Sequence, residues 1–153
     1  MVIGKLLKSK NKTVATAESC TGGEIAHMLT SVEGSSAYYK GSVIAYSNSV
    51  KSGLLGVQEL TLATYGAVSR ETVTEMAEGA RKLLKTDFAV ATSGIAGPDG
   101  GNIEKPLGTI WIAVASERDT VTEKRVFGND RNTNIKRFSL AALNLLRKQI
   151  INY

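Results

Sequence analysis

The chain has 153 residues, 42% of them apolar and 22% charged, with a formal charge of +5 and an isoelectric point of about 9.4. These proportions fit one globular domain over residues 1–153 with one core, and no apolar run reaches membrane-spanning length. One cysteine and one histidine exclude an internal disulfide framework and a thiolate zinc cluster, and leave little for a His-based metal site or triad.

In chain order, residues 2–8 read as the end of an amphipathic helix, and Asn11 and Lys12 break it. Residues 1–12 have a very short apolar portion and no small-residue cleavage pattern, so they do not read as a signal peptide and a cytoplasmic location is the default. Residues 13–16 form a short β-branched strand, followed by Glu18-Ser19-Cys20-Thr21-Gly22-Gly23 and a helix from Glu24 to about Val32. A strand at residues 41–46 follows, then Ser47-Asn48 as a cap for a short helix around Val50 to Leu55, and another helical piece over residues 58–65. Ser69 caps the clearest helix, with Val73, Met76, Ala77, Ala80, Leu83 and Leu84 on one apolar face. A buried strand at residues 88–92 runs into the glycine-rich stretch 93–101. Strands at 109–114 and 121–127 follow, the second alternating like an edge strand, and a long helix from about Asn132 ends the chain.

Helices alternating with apolar strands, and two late strands joined by a tight turn, predict a three-layer α/β/α sandwich with a mixed β-sheet. In open α/β sheets ligands bind at the carboxyl ends of the strands. The loops at that end are the turn at Ser19, residues 46–51 and residues 93–101, and these are also the stretches of unusual composition. At the Ser19 turn a hydroxyl or thiol could attack a carbonyl while helix N–H groups hold the oxyanion. On the residues alone Ser19, Cys20 and Thr21 all qualify as nucleophile, and Ser19 or Thr21 also reads as a simple helix cap. Lys51 could serve Ser19 as general base if burial lowers its pKa, with Tyr46 passing a proton or holding the hydroxyl. Glu18 could anchor the turn or hold Lys51; His27 reads as a helix-face residue and Asp99 as a turn former.

The run Ala17-Glu18-Ser19-Cys20-Thr21-Gly22-Gly23 resembles the opening motif of the CinA C-terminal domain family, the competence/damage-inducible protein A family. Further matches in register are Gly41-Ser42, Tyr46-Ser47-Asn48 with Lys51, Gly66-Ala67-Val68-Ser69, Ser93 through Gly101, Lys105-Pro106, Gly108-Thr109 with Trp111, and Arg131. The enzymatic members are nicotinamide-nucleotide amidohydrolases. The resemblance therefore implies hydrolysis of nicotinamide mononucleotide, by a stand-alone domain lacking the larger N-terminal domain of two-domain members. It places the family's nucleophilic serine on Ser19 and its lysine and tyrosine on Lys51 and Tyr46. Backbone N–H groups of Cys20, Thr21, Gly22 and Gly23 are the expected oxyanion donors. Arg131 is the first choice for the substrate phosphate and Arg137 a weaker one. Gly94 and Gly97, with Ser42 and Asn48, complete the expected substrate contacts. No metal and no cofactor are expected. The expected partner is the small-molecule substrate, in a homo-oligomer, with no nucleic acid and no membrane.

The competing classes are a non-catalytic nucleotide-binding module that keeps the fold, and a nucleic-acid-binding protein suggested by the isoelectric point alone. The basic residues are spread along the chain without aromatic interleaving, as on a solvated surface.

Overall fold

Five strands form a mixed sheet in the order β2-β1-β3-β4-β5. The computed structural model describes residues 2–153. The strands are β1 (Val14–Glu18), β2 (Tyr39–Ile44), β3 (Phe88–Gly94), β4 (Thr109–Ala115) and β5 (Thr120–Val126). The helices are α1 (Val2–Ser9), α2 (Glu24–Thr30), α3 (Asn48–Leu55), α4 (Glu59–Tyr65), α5 (Arg70–Leu84) and α6 (Arg131–Asn152). β1 pairs in parallel with both β2 and β3. β4 and β5 add antiparallel, β4 on β3 and β5 on β4.

The strands alternate large and small apolar residues, and the two faces of the sheet differ accordingly. Val14, Phe88, Val90, Ile110, Ile112 and Val114 project to one face, where Ile3 and Leu7 of α1, Ile25 and Leu29 of α2 and Phe138 and Leu146 of α6 cover them. The other face is alanine: Ala15, Ala17, Ala89, Ala91, Ala113 and Ala115, under Val73, Met76, Ala77 and Ala80 of α5. Methyl-sized side chains let α5 lie close to the sheet, and the expected three-layer α/β/α sandwich is the result. The same layer is tight sideways, because a Cβ on Gly79 of α5 would collide with the carbonyl oxygen of Leu55, the last residue of α3. α3 is therefore wedged against α5, and with it Lys51.

Helix starts follow the caps read from the sequence at Ser47 and Ser69. Their hydroxyls accept from Val50 N and Thr72 N. Asp130 does the same for α6, accepting from Thr133 N at 2.9 Å. Three expectations shift. The second strand covers Tyr39–Ile44 rather than 41–46, because its parallel register with β1 begins at Val14 opposite Tyr39. Tyr46 consequently lies beyond the strand, in the link to α3. Leu83, expected on the inward face of α5, is 49% exposed. Among the described residues no helix is long and apolar enough to cross a membrane.

β1 is the central parallel strand. The chain leaves it through α2 to β2 on one side, and β3 lies on the other. The carboxyl ends of β1 and β3 thus sit at the point where strand order reverses, the usual place for a ligand crevice in an open sheet.

Candidate active site

Glu18 ends β1 and is fully buried. A buried carboxylate needs donors, and the next eight residues supply them. Its Oε1 accepts from Thr21 Oγ1 at 2.7 Å, Gly23 N at 3.2 Å and Ile25 N at 3.0 Å, and its Oε2 accepts from Ala26 N at 3.0 Å. The strand end thereby caps α2 from within, and the negative charge stands against the positive end of the helix dipole. Glu18 anchors the turn, and its carboxylate makes no ion pair with Lys51. The expected cap by Ser19 or Thr21 is replaced by this contact. The turn is held further by Ser19 N donating to Thr92 O at 3.2 Å, and by the Thr21 and Thr92 hydroxyls 2.9 Å apart.

This arrangement sorts the three candidate nucleophiles. Thr21 Oγ1 is committed to Glu18 and Thr92. Cys20 is buried, and burial is the main cause that pushes its thiol up to about 12, so it stays protonated near neutral pH. Ser19 Oγ faces Lys51, whose Nζ donates to it at 3.2 Å and to Ala45 O at 2.8 Å. Lys51 is 2% exposed, and burial holds its pKa below the usual lysine value of 10.5.

The crevice above Ser19 has a volume of about 220 Å³. Cys20, Tyr46, Asn48, Lys51, Gly94 and Arg131 line it with Ser19, and Ala67, Val68, Ser93 and Ala96 complete the wall. Arg131, the first residue of α6, donates from Nη1 to Gly97 O at 2.6 Å and from Nη2 to Tyr46 OH at 2.9 Å. It spans the mouth between the loops that follow β2 and β3. Tyr46 is 62% exposed and hydrogen-bonds Arg131 rather than Ser19 or Lys51.

Several expected residues fall elsewhere. Ser42 sits within β2 opposite Thr16, short of the strand's carboxyl end, and does not line the crevice. Arg137 is exposed on α6, six residues after Arg131, which at 3.6 residues per turn points it about 120° away. Gly97 does not line the crevice, and its carbonyl accepts from Arg131. The N–H groups of Gly22 and Gly23 are not available for an oxyanion, because Ser19 O and Glu18 Oε1 take them. Among the described residues no protein oxygen accepts from the N–H of Cys20 or Thr21.

Of two supporting residues, Ser93 was read only as part of the 93–101 stretch and Asn134 escaped the sequence reading. Ser93 Oγ donates to Ala67 O at 2.7 Å and ties the end of β3 to the crevice wall. Asn134 Nδ2 donates to Ala96 O at 2.9 Å and Gly128 O at 2.8 Å, clamping the loop after β3 onto α6. The signal for Asn134 was a polar residue in register with the inward Phe138 and Ala142, at helical spacing.

A hydroxyl, a buried amine and a guanidinium gathered at a switch point make a crevice for a small polar ligand in an α/β protein. The chain belongs to the CinA C-terminal domain family, whose family model matches residues 1–150. It is 57% identical over 148 residues to a CinA-like protein of Cytophaga hutchinsonii, covering 97% of this chain and 35% of that protein. It is 46% identical over 150 residues to the nicotinamide-nucleotide amidohydrolase PncC of Escherichia coli strain K12, covering 97% of this chain and 91% of PncC. The chain thus spans about a third of the CinA-like relative and nearly all of PncC. The crystal structure of the competence damage-inducible protein A of Klebsiella pneumoniae superposes with a TM-score of 0.95 at 34% identity, over 99% of this chain and 94% of that one.

Proposed function

We propose that this protein hydrolyses the carboxamide of nicotinamide mononucleotide to nicotinic acid mononucleotide and ammonia, with Ser19 as nucleophile and Lys51 as base. The reading rests on the 3.2 Å contact between a buried, pKa-lowered lysine and the free serine hydroxyl of the turn. The likeness to a nicotinamide-nucleotide amidohydrolase over nearly its whole length supplies the substrate class.

Neutral Lys51 takes the proton of Ser19 as Oγ attacks the carboxamide carbon. The carbonyl electron pair moves onto oxygen, where the N–H groups of Cys20 and Thr21 receive it; one such donor is worth about 2.7–4 kcal/mol of barrier. The Lys51 ammonium then protonates the departing nitrogen, ammonia leaves, and an ester on Ser19 remains. Water attacks that ester with Lys51 again taking a proton, and the acid departs as Ser19 recovers its own. Ala45 O holds the amine in place through both halves. The crevice, at about 220 Å³, is smaller than the roughly 300–1,000 Å³ that encloses a drug-sized ligand. It suits the pyridine carboxamide, with the ribose phosphate directed out to Arg131.

Ammonia release by the purified protein from nicotinamide mononucleotide, with appearance of the acid, tests the reading. Saturable binding of the nucleotide without any ammonia would favour a non-catalytic module. The joint placement of Ser19, Lys51 and Arg131 around one crevice speaks for catalysis.

A further inference from the structure

The two hydrogen bonds of Arg131 are unequal. Gly97 O belongs to a fixed loop: Ile95 N donates to Thr109 O, Gly108 N donates to Ile95 O, and Asn134 holds Ala96 O. Tyr46 sits on the link between β2 and α3, is 62% exposed, and among the described residues finds its only phenol partner in Arg131. Tyr46 lines the same crevice as Ser19 and Lys51 but bonds to neither. The phenol that could serve the reaction is held at the crevice mouth by the residue best suited to a phosphate.

We propose that the Arg131–Tyr46 hydrogen bond is a phosphate-operated latch that makes the substrate's phosphate a determinant of turnover as well as of binding. The proposal rests on the nucleotide reading above. A guanidinium–phenol bond has one charged partner, whereas a guanidinium–phosphate bond has two and is the stronger. A phosphate arriving at Arg131 Nη2 takes the N–H that Tyr46 uses, while Nη1 stays anchored on Gly97. The released phenol turns into the crevice and hydrogen-bonds Ser19 Oγ or the departing nitrogen. Binding energy from a group remote from the reacting carbon is thus directed into kcat, and a substrate lacking that group loses kcat as well as affinity.

The test uses nicotinamide riboside, which lacks the phosphate, with phosphite dianion supplied separately. The latch predicts that phosphite raises kcat on the riboside saturably, by about tenfold or more, and that Tyr46→Phe shows no rise. In protein carrying ring-labelled tyrosine, the Tyr46 resonance, assigned by its absence in Tyr46→Phe, shifts when phosphite is added to the wild type and stays fixed in Arg131→Ala. Circular dichroism checks that both variants are folded. Three results overturn the latch while hydrolysis of nicotinamide mononucleotide leaves the underlying reading standing: riboside turnover indifferent to phosphite, an equal rise in Tyr46→Phe, or an unmoved Tyr46 resonance. Failure to hydrolyse nicotinamide mononucleotide itself would defeat the reading and the latch together.

Discussion

Lys51 Nζ stands 3.2 Å from Ser19 Oγ across 32 residues of chain, and burial has already lowered the lysine's pKa below 10.5. The amine has no carboxylate within ion-pair distance among the described residues to keep it charged. Its other recorded partner is the Ala45 carbonyl. Neutral amine is the form a base requires, so kcat/KM should rise with pH through one ionisation lying below 10.5. Lys51→Arg, which stays charged, should fold and lose about 10²–10⁴-fold in activity. A flat pH profile, or near-native turnover by Lys51→Arg, would make the lysine structural.

The same shift has a stability consequence. Between its lowered folded pKa and 10.5, Lys51 binds fewer protons in the folded state than in the unfolded one, so its contribution becomes more favourable as pH rises through that window. Urea titrations across alkaline pH should show the wild type gaining on Lys51→Met as pH approaches 10.5. A constant difference between the two would mean that the lysine is unperturbed.

Cys20 gives the opposite expectation. With its thiol pushed up to about 12 by burial, it should react slowly with iodoacetamide near pH 8, and Cys20→Ala should remain active. Rapid stoichiometric alkylation that abolishes activity would point to a cysteine amidase.

Glu18 holds the turn through bonds from Thr21, Gly23, Ile25 and Ala26. Glu18→Ala strands these donors in a buried place and should cost about 3–5 kcal/mol in urea unfolding, with activity lost as the Ser19 turn loosens. A cost below about 1 kcal/mol would show that water substitutes for the carboxylate.

Two glycines near the lysine helix should respond with opposite sign. Gly79→Ala drives a methyl into the Leu55 carbonyl and should destabilise by about 1–3 kcal/mol, displacing α3 and reducing activity. Gly53→Ala, on α3 with open space at its Cβ position, should stabilise by about 0.5–1 kcal/mol and leave activity intact. Thermal melts and ammonia assays on the pair check whether the wedge between α3 and α5 positions Lys51.

Arg131→Ala should remove the preference for nucleotide over riboside. A charge-assisted contact is worth about 1.5–3 kcal/mol, so the ratio of their kcat/KM values should fall by roughly 10- to 150-fold. An unchanged ratio would take Arg131 out of phosphate recognition.

The elements of the fold were legible because their signals are local. The β-branched and apolar runs, the caps at Ser47 and Ser69 and the periodic face of α5 each lie within one stretch of sequence. The large/alanine alternation that separates the two faces of the sheet was equally present in the strands, but its meaning depends on which helix lands on which face. The cap of α2 was not legible: it comes from Glu18, several residues upstream and across a turn, whereas cap signatures assume the adjacent serine or threonine. Ser42 and Arg137 were included for chemical type or motif match, and strand register and helical phase took them out of the crevice. Tyr46 and Arg131 were both named, but a hydrogen bond between residues 85 positions apart has no sequence signal.

The most direct measurement is rapid acid quench of the protein during turnover of nicotinamide mononucleotide, followed by mass spectrometry of its peptides. The account predicts an ester of nicotinic acid mononucleotide on Ser19, absent from Ser19→Ala and accumulating in preparations where water attack is slowed. An acyl group carried by Cys20 or Thr21, or full turnover by Ser19→Ala, would contradict it.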